Sequence, residues 1–407
     1  MKSDMYNEND NVYLNIVFNH PFVTYPTGPT GQSYDETPSY AIYNVTKDLP
    51  IVDKASDYYC SVIRFTIPLD TIPIMIMPII PNQGNNNLTP FRIGILYNGV
   101  YTSVNILYIQ RHGYNTGPTQ DQQVQVVTPY YFCYSYDVLI SMINDSLQTA
   151  IINSGIQALF PGVRLAWFSL NDSTNLINLY VHHVFTDYPI PTPAVSTPII
   201  YINAALKVYL DGFDYNFYGY NQPYGFEFAF ILQSLTTTAP IINNVPTPDQ
   251  AYALYNIPVS PPVYYIFVQE YQAIQAWSSL RKILVTTNTI PIVKEFEPPN
   301  FNSKVINTDG YSSGLVAGVP IITDFVPQIN NIGESRSVAY YVPTSQYRLI
   351  DMISDNPIKK IDLSIYWQDK NGTIYPLDIS VFEQASMKLA FIRKSLYKSK
   401  ANTLLLK

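Results

Sequence analysis

The chain has 407 residues, more than an ordinary single domain holds and about right for two. Only 13% are charged against 47% apolar, about half the usual charged share, so the surface is poorly equipped to keep a free monomer apart from its neighbours. A net charge of −7 excludes sequence-independent nucleic-acid binding over the main surface, and no run reaches the roughly 20 apolar residues of a membrane helix: the closest, 63–80, contains Arg64, Asp70 and prolines.

Residues 11–18, NVYLNIVF, alternate, with Val12, Leu14, Ile16 and Phe18 on one face and Asn11, Tyr13 and Asn15 on the other, the pattern of a half-buried strand. Residues 24–57 are polar, hold Pro26, Pro29, Pro38 and Pro50, and read as a long arm or loop. The run 58–67, YYCSVIRFTI, is β-branched and aromatic and reads as a strong strand. PLDTIPIMIMPIIP follows; its prolines allow an extended path but not a place in mid-sheet. FRIGILY and VYTSVNILYI flank Asn98-Gly99, the pair favoured in a type I′ turn, and predict a hairpin over 91–109. After a Gln-rich loop, Leu139, Ile143, Leu147, Ala150 and Ile151 recur at helical spacing and predict a helix near 136–151 with Ser135 as N-cap. A second hairpin is expected over 163–185, turning at Asn171-Asp172-Ser173, then a short helix near 203–210 and a strand at 226–233.

Residues 234–262 form a proline-rich connection, after which the texture changes. Residues 263–268 and 280–287 read as strands, and 300–318 as a loop with Gly310, Gly314 and Gly318. Short strands follow at 319–326, 337–342 and 346–353. Residues 361–367 alternate cleanly, Asn371-Gly372 turns the chain into a further hairpin, and the last strand is 387–392. Many short strands separated by turn signals point to a sandwich or jelly roll.

Tyrosine, with 36 residues, suits half-buried pleated surfaces and interfaces, and the 32 prolines belong in turns and strand ends. The two cysteines, Cys60 and Cys133, make no disulfide framework and are expected as buried free thiols in separate domains. The polar, acidic start MKSDMYNENDN carries no secretory signal, which suggests a reducing cytoplasmic origin, and the Asn-x-Thr matches at Asn44 and Asn371 then have no glycosylation meaning. The basic tail Arg393, Lys394, Lys398, Lys400 and Lys407 is either a solvated end or a small arm for nucleic acid or an acidic neighbour.

Several stretches carry a resemblance: PIITDFVP at 320–327, YVPTSQYRLIDM at 341–352, IKKIDLSIYWQDKNGTIYPLDI at 358–379 and MKLAFIRK at 387–394, with YYCSVIRFTIPLDTIPIMIMPI at 58–79 and QAWSSLRKILVTT at 275–287. Together they resemble the penton, or minor capsid, proteins of virophages, polintons and polinton-like viruses. Trp277, Thr323, Asp324, Phe325, Tyr347, Arg348, Asp362, Trp367, Asn371 and Gly372 stand in these stretches as structural positions of the pattern. The resemblance covers 263–394 and the neighbourhood of 58–80; the block 86–255 carries none. It implies an all-β protein: a single eight-stranded jelly-roll base interrupted by a largely β insertion with one or two short helices. Strands near 11–18 and 58–67 would complete a sheet with strands from 263–394. The expected division is 1–85 for the N-terminal arm and first jelly-roll strands, 86–255 for the insertion as an upper domain, and 256–407 for the remaining strands and the basic tail.

Catalytic signatures are scarce. Of the four histidines, His20, His112, His182 and His183, the adjacent pair should point to opposite faces of a strand and so make a poor metal site. No HExxH, CxxC or GxxxxGK[ST] occurs. GYSSGLVAG at 310–318 superficially resembles a phosphate loop or serine elbow but lacks the lysine of a phosphate loop, and reads as a flexible loop. Asp324, Asp351, Asp362 and Asp369 could serve as a glycosidase pair. Acids at strand ends more often accept backbone or arginine hydrogen bonds, with Arg336 and Arg348 at hand and Asp369 bonding its own turn. Trp167, Trp277 and Trp367 read as core or interface anchors rather than a sugar platform.

The leading expectation is a structural capsid protein without enzymatic activity, cofactor or metal, forming the pentameric vertex of an icosahedral double-stranded DNA virus. The alternatives are a trimeric double jelly-roll major capsid protein and, more distantly, a carbohydrate-binding lectin or glycosidase. Expected partners are four further copies in a homo-pentamer and the neighbouring major capsid protein. A host receptor or glycan would be met through an outward-facing insertion, and nucleic acid at most through the tail.

Overall fold

The computed structural model describes residues 11–19, 24–27, 31–34, 39–80, 87–110, 129–185, 197–218, 228–232, 264–273, 277–293, 305–306, 312–313, 320–326, 338–341, 348–379 and 383–395. It divides into two units, one of Met1–Ile72, Leu280–Asn330 and Glu334–Lys407, the other of Pro73–Ser279 with Asn331–Gly333.

In the first unit, alternation places the core. β1 (Val12–Asn19) buries Ile16 and Phe18 and exposes Tyr13, Asn15 and Val17. The strands that follow are β2 (Ile42–Thr46), β3 (Tyr58–Pro68), β4 (Leu280–Thr286), β5 (Ile321–Phe325), β6 (Val338–Tyr341), β7 (Lys360–Asp369) and β8 (Gln384–Arg393). They pair antiparallel in two sheets, β1-β8-β3-β6 and β2-β7-β4-β5. Eight strands in the orders 1-8-3-6 and 2-7-4-5 are the two Greek keys of a jelly roll. Short strands extend the second sheet beside β7 at Ile374–Pro376, Val305–Ile306 and Ser312–Ser313, and Ile350–Asp351 pairs with β3 on the side that β6 occupies. The inner faces meet at Phe65 on β3 and Phe325 on β5, ring centroids 4.1 Å apart, and at Phe18 and Tyr43, 6.2 Å apart. The odd-numbered face of β7, Ile361, Leu363, Ile365 and Trp367, is buried throughout, and so are Met387, Leu389 and Phe391 on β8.

The region 24–57, read in the sequence as arm or loop, is partly strand. Its IYNVT segment becomes β2 by pairing with Lys360–Ser364 of β7, and Ser39–Tyr40 pairs with Asp378–Ile379. A half-exposed edge strand buries too little to show a strong apolar signal, and its order comes from the backbone ladder of β7. The Asn371-Gly372 turn also differs in kind. Only Gly372 has a positive φ, 89°, and the turn opens at Asp369, whose carbonyl accepts from the Gly372 N–H at 3.1 Å. This is the longer hairpin loop with a left-handed glycine rather than a two-residue I′ turn.

The second unit is built round helix α1 (Tyr136–Asn153), whose N-cap Ser135 side chain accepts from the Asp137 N–H at 3.2 Å. It packs on a five-stranded sheet, in order Tyr215–Phe217, Phe228–Phe230, Ile199–Ile202, Leu88–Tyr97 and Val100–Leu107, and on the strand Ala166–Asn171 of a three-stranded sheet. Asn98 and Gly99 both have positive φ, 49° and 73°, as a type I′ turn requires. The strand Tyr264–Val268, grouped in the sequence with the C-terminal strands, instead pairs with Leu176–His182 and closes this second sheet. An apolar run says that a strand is buried but not beside which partner. The helix expected near 203–210 is the single turn Ala204–Lys207, capped by Asn203.

Candidate functional site

The described family-pattern residues are spread over both units and mostly bind the fold to itself. Asp362 opens β7, and its carboxylate accepts from the hydroxyls of Thr287 (2.9 Å) and Thr289 (2.6 Å) and from the N–H groups of Asn288 (2.9 Å) and Thr289 (2.7 Å). Burial by itself raises the Asp362 pKa, but these bonds outweigh it and hold the group below its ordinary value. At the other end of β7, Asp369 is buried, accepts from the Thr373 N–H at 2.8 Å and the Tyr375 hydroxyl at 3.3 Å, and is held above its ordinary value chiefly by burial. Trp367 stacks on Tyr375 at 4.2 Å, which anchors the hairpin that Asn371 and Gly372 turn. On β5, Thr323 is buried and Phe325 packs on Phe65, while Asp324 accepts from Arg348 (2.9 Å) and lies 3.3 Å from the Lys282 ammonium. Asp351 pairs with Lys394 at 2.8 Å.

Asp362 and Asp369, seven positions apart on one strand, are separated by roughly 23 Å, far more than a glycosidase pair spans. Glu383 is pushed up to about 7 by burial and by its hydrogen bond and repulsion with Asp70. Tyr347 and Arg336 lie outside the described residues, as do His20, His112 and most of 310–318.

Trp277 belongs to the core of the second unit: its indole is 1% exposed, lies against Tyr136 and Tyr209, and donates to the Tyr209 carbonyl at 2.6 Å. Trp167 stacks on Tyr180 at 4.9 Å. The histidine pair departs from its expected geometry. The strand ends at His182 and a 3-10 turn begins at His183, so the two rings come within 4.0 Å instead of facing opposite ways. His182 is buried and pushed down to about 3 by burial and by the charge His183 would carry. Among the described residues no group of three His, Cys, Asp or Glu side chains is placed to hold a metal ion, and no helix is long and apolar enough to cross a membrane. Cys60 and Cys133 are buried free thiols, one in each unit; burial pushes Cys60 up to about 12. The start of the basic tail is structural: Arg393 ends β8, and Lys394 also donates to the Ser56 carbonyl at 2.7 Å.

Three amides, Asn144 and Gln269 buried and Asn203 half-buried, escaped sequence reasoning. Asn144 of α1 donates to the Phe168 carbonyl (2.9 Å) and accepts from its N–H (2.7 Å); Asn203 binds the N–H of Arg92 and the carbonyl of Pro90; Gln269 accepts from the Ile177 N–H. A chain poor in charge satisfies its buried backbone with neutral amides, and no spacing in the sequence marks which ones. On the face of the five-stranded sheet opposite α1, Tyr101, Tyr201 and Tyr218 form a row with centroids 5.7 and 5.8 Å apart, beside a cavity of about 200 Å³ lined by Thr197, Asn216, Tyr218 and Leu232.

A single jelly roll with a second unit inserted between its third and fourth strands is an architecture of the class that viral coat proteins and lectins use. The comparisons name the family. The model of the Sputnik minor capsid protein V18/19 matches residues 12–393, and the chain belongs to that family. Structural protein V19 of Sputnik virophage is 32% identical over 231 residues, 57% of this chain and 95% of that protein. A chain in the cryo-EM structure of the Sputnik virophage superposes with a TM-score of 0.74 at 30% identity, over 96% of this chain and 99% of the other. The mavirus penton protein shares the fold, with a TM-score of 0.57 at 14% identity over 94% and 99% of the two chains. The role of the chain is that of a minor capsid protein.

Proposed function

We propose that five copies of this chain form the vertex of an icosahedral capsid, with the jelly roll as the ring-forming base. The carrying observation is the 1-8-3-6 and 2-7-4-5 jelly roll interrupted after β3, in a chain of the Sputnik minor capsid family that shares its fold with a penton protein. In this reading the protein is a structural subunit without a catalytic role, its neighbours are major capsid proteins, and it is made in the host cell cytoplasm or virus factory. Five-fold closure makes each contact heterologous, one patch meeting a different patch next door. Mass-resolved light scattering of the purified chain should give five times its 46.2 kDa mass; a stable trimer would refute the ring, and the trimeric double jelly-roll alternative is already set aside by a second unit that is not a jelly roll.

The insertion, 86–255 in the sequence division, supplies the outward surface in this reading and meets a receptor or glycan there. The tyrosine row and its adjoining cavity support that role, since aromatic faces beside polar groups suit such recognition. The tail beyond Lys394 then lies toward the shell or genome. Limited proteolysis of intact particles should cut first within 113–128, 186–198 or 236–262 and spare 393–407, stretches that fall largely outside the described residues. Early loss of the tail with those stretches intact would invert the orientation.

A further inference from the structure

The first unit exposes its large apolar side chains in an uneven way. Among the described residues they are Tyr13, Val17, Ile42 and Leu49 on one side, and Val326, Val338, Tyr340, Val293 and Ile353 on the other. Tyr13 and Val17 lie on β1, Ile42 on β2, and Leu49 shortly after it; Val338 and Tyr340 lie on β6, and Val326 directly follows β5. Val293 and Ile353 flank the short strand Ile350–Asp351, which continues the β6 side of β3. The central strands β3, β4, β7 and β8 expose none. By the sheet orders, among the described residues, β1 and β2 form one edge of the sandwich together with the short strands that end at Ser312–Ser313, and β5 and β6 form the opposite edge.

Charge is distributed the other way. VYLNIVFN, IYNVT and VAYY, the sequences of β1, β2 and β6, contain no charged residue, and the one acid of β5, Asp324, is neutralised by Arg348 and Lys282. The central strands carry Arg64, Arg281, Lys360, Asp362 and Lys388. Interface cores are depleted of charge and rich in aromatic residues. Natural proteins guard free sheet edges with Lys, Pro or inward charges, and the eight-residue β1 has none of these. Tyr340, 75% exposed, stands at the end of a register row that runs through Thr66 and Ser386 to Val17 at the other edge.

We propose that the β5/β6 edge of one copy docks on the β1/β2 edge of the next copy of this chain. Two unlike patches with exposed apolar side chains, on strands β1, β2 and β6 that carry no charge of their own, lie on opposite edges of one sandwich and fit a head-to-tail contact and not a self-complementary one. The inference rests on the vertex reading above and names the surfaces that make its ring. Val17→Asp and Tyr340→Asp change exposed side chains, so each variant keeps its far-UV circular dichroism and melting temperature, and each falls from five copies to one. The exposed mid-sheet variant Arg64→Glu keeps five. A short-arm crosslinker applied to a mixture of the two edge variants captures a Val17→Asp/Tyr340→Asp pair, because one intact edge remains on each, and captures neither homodimer. A wild type that is not pentameric ends the vertex reading and this inference together. A pentameric wild type whose folded edge variants stay pentameric, or whose mixture gives no mixed pair, overturns the edge assignment alone.

Discussion

Trp277→Ala is expected to lower the stability of the second unit by about 3–5 kcal/mol. The indole is 1% exposed and packs between Tyr136, in the first turn of α1, and Tyr209, with centroids 5.4 and 6.1 Å away. Its N–H donates to the Tyr209 carbonyl at 2.6 Å, so truncation both opens a cavity and strands a carbonyl, a further cost of about 1 kcal/mol. A domain has a net stability of only about 5–15 kcal/mol, so this one side chain decides a large share of it. Trp277→Phe keeps a ring without the donor and should lose less, roughly 1–2 kcal/mol. Urea unfolding followed by circular dichroism separates the cases; a loss under about 1 kcal/mol for the alanine variant would show that the indole is not a core anchor.

Asp362→Ala is expected to cost the first unit about 2–4 kcal/mol at neutral pH, because it removes the acceptor of two hydroxyls and two backbone N–H groups that tie the start of β7 to the turn after β4. Partial exposure puts the figure at the lower end of that range. The pH dependence has a definite sign. The folded pKa lies below its ordinary value, because the bonds to Thr289, Thr287 and Asn288 outweigh the raising effect of burial. The carboxylate therefore stabilises the fold fully above its unfolded pKa of about 3.9, and that contribution is lost as pH falls through the lower folded value. The stability gap between wild type and Asp362→Asn should be widest near pH 7 and shrink below about pH 4. A gap that is flat with pH, or that widens on acidification, would mean the charge is not what these donors hold.

Elements whose evidence is local were legible in the sequence. The alternation of 11–18 and 361–367 became β1 and β7, Asn98-Gly99 became a type I′ turn, and Ser135 capped α1, because each pattern acts within a few residues of itself. The family-pattern stretches pointed to a jelly roll, and Asp324 and Asp369 found the arginine and turn partners that their strand-end positions suggested. What required the tertiary structure is non-local. IYNVT is a strand only because β7 lies beside it, and Tyr264–Val268 chose Leu176–His182 over the C-terminal strands. His182 and His183 met because the strand stops between them, and Asn144, Asn203 and Gln269 became backbone bridges through partners remote in sequence. Period and turn chemistry determine which face of a segment is apolar. They carry no information on which other segment covers that face, since burial is non-directional and many partners bury the same area. The pairing of β3 with β8 and the collection of exposed apolar side chains on two opposite edges were decided by the closing of the two sheets over a common core.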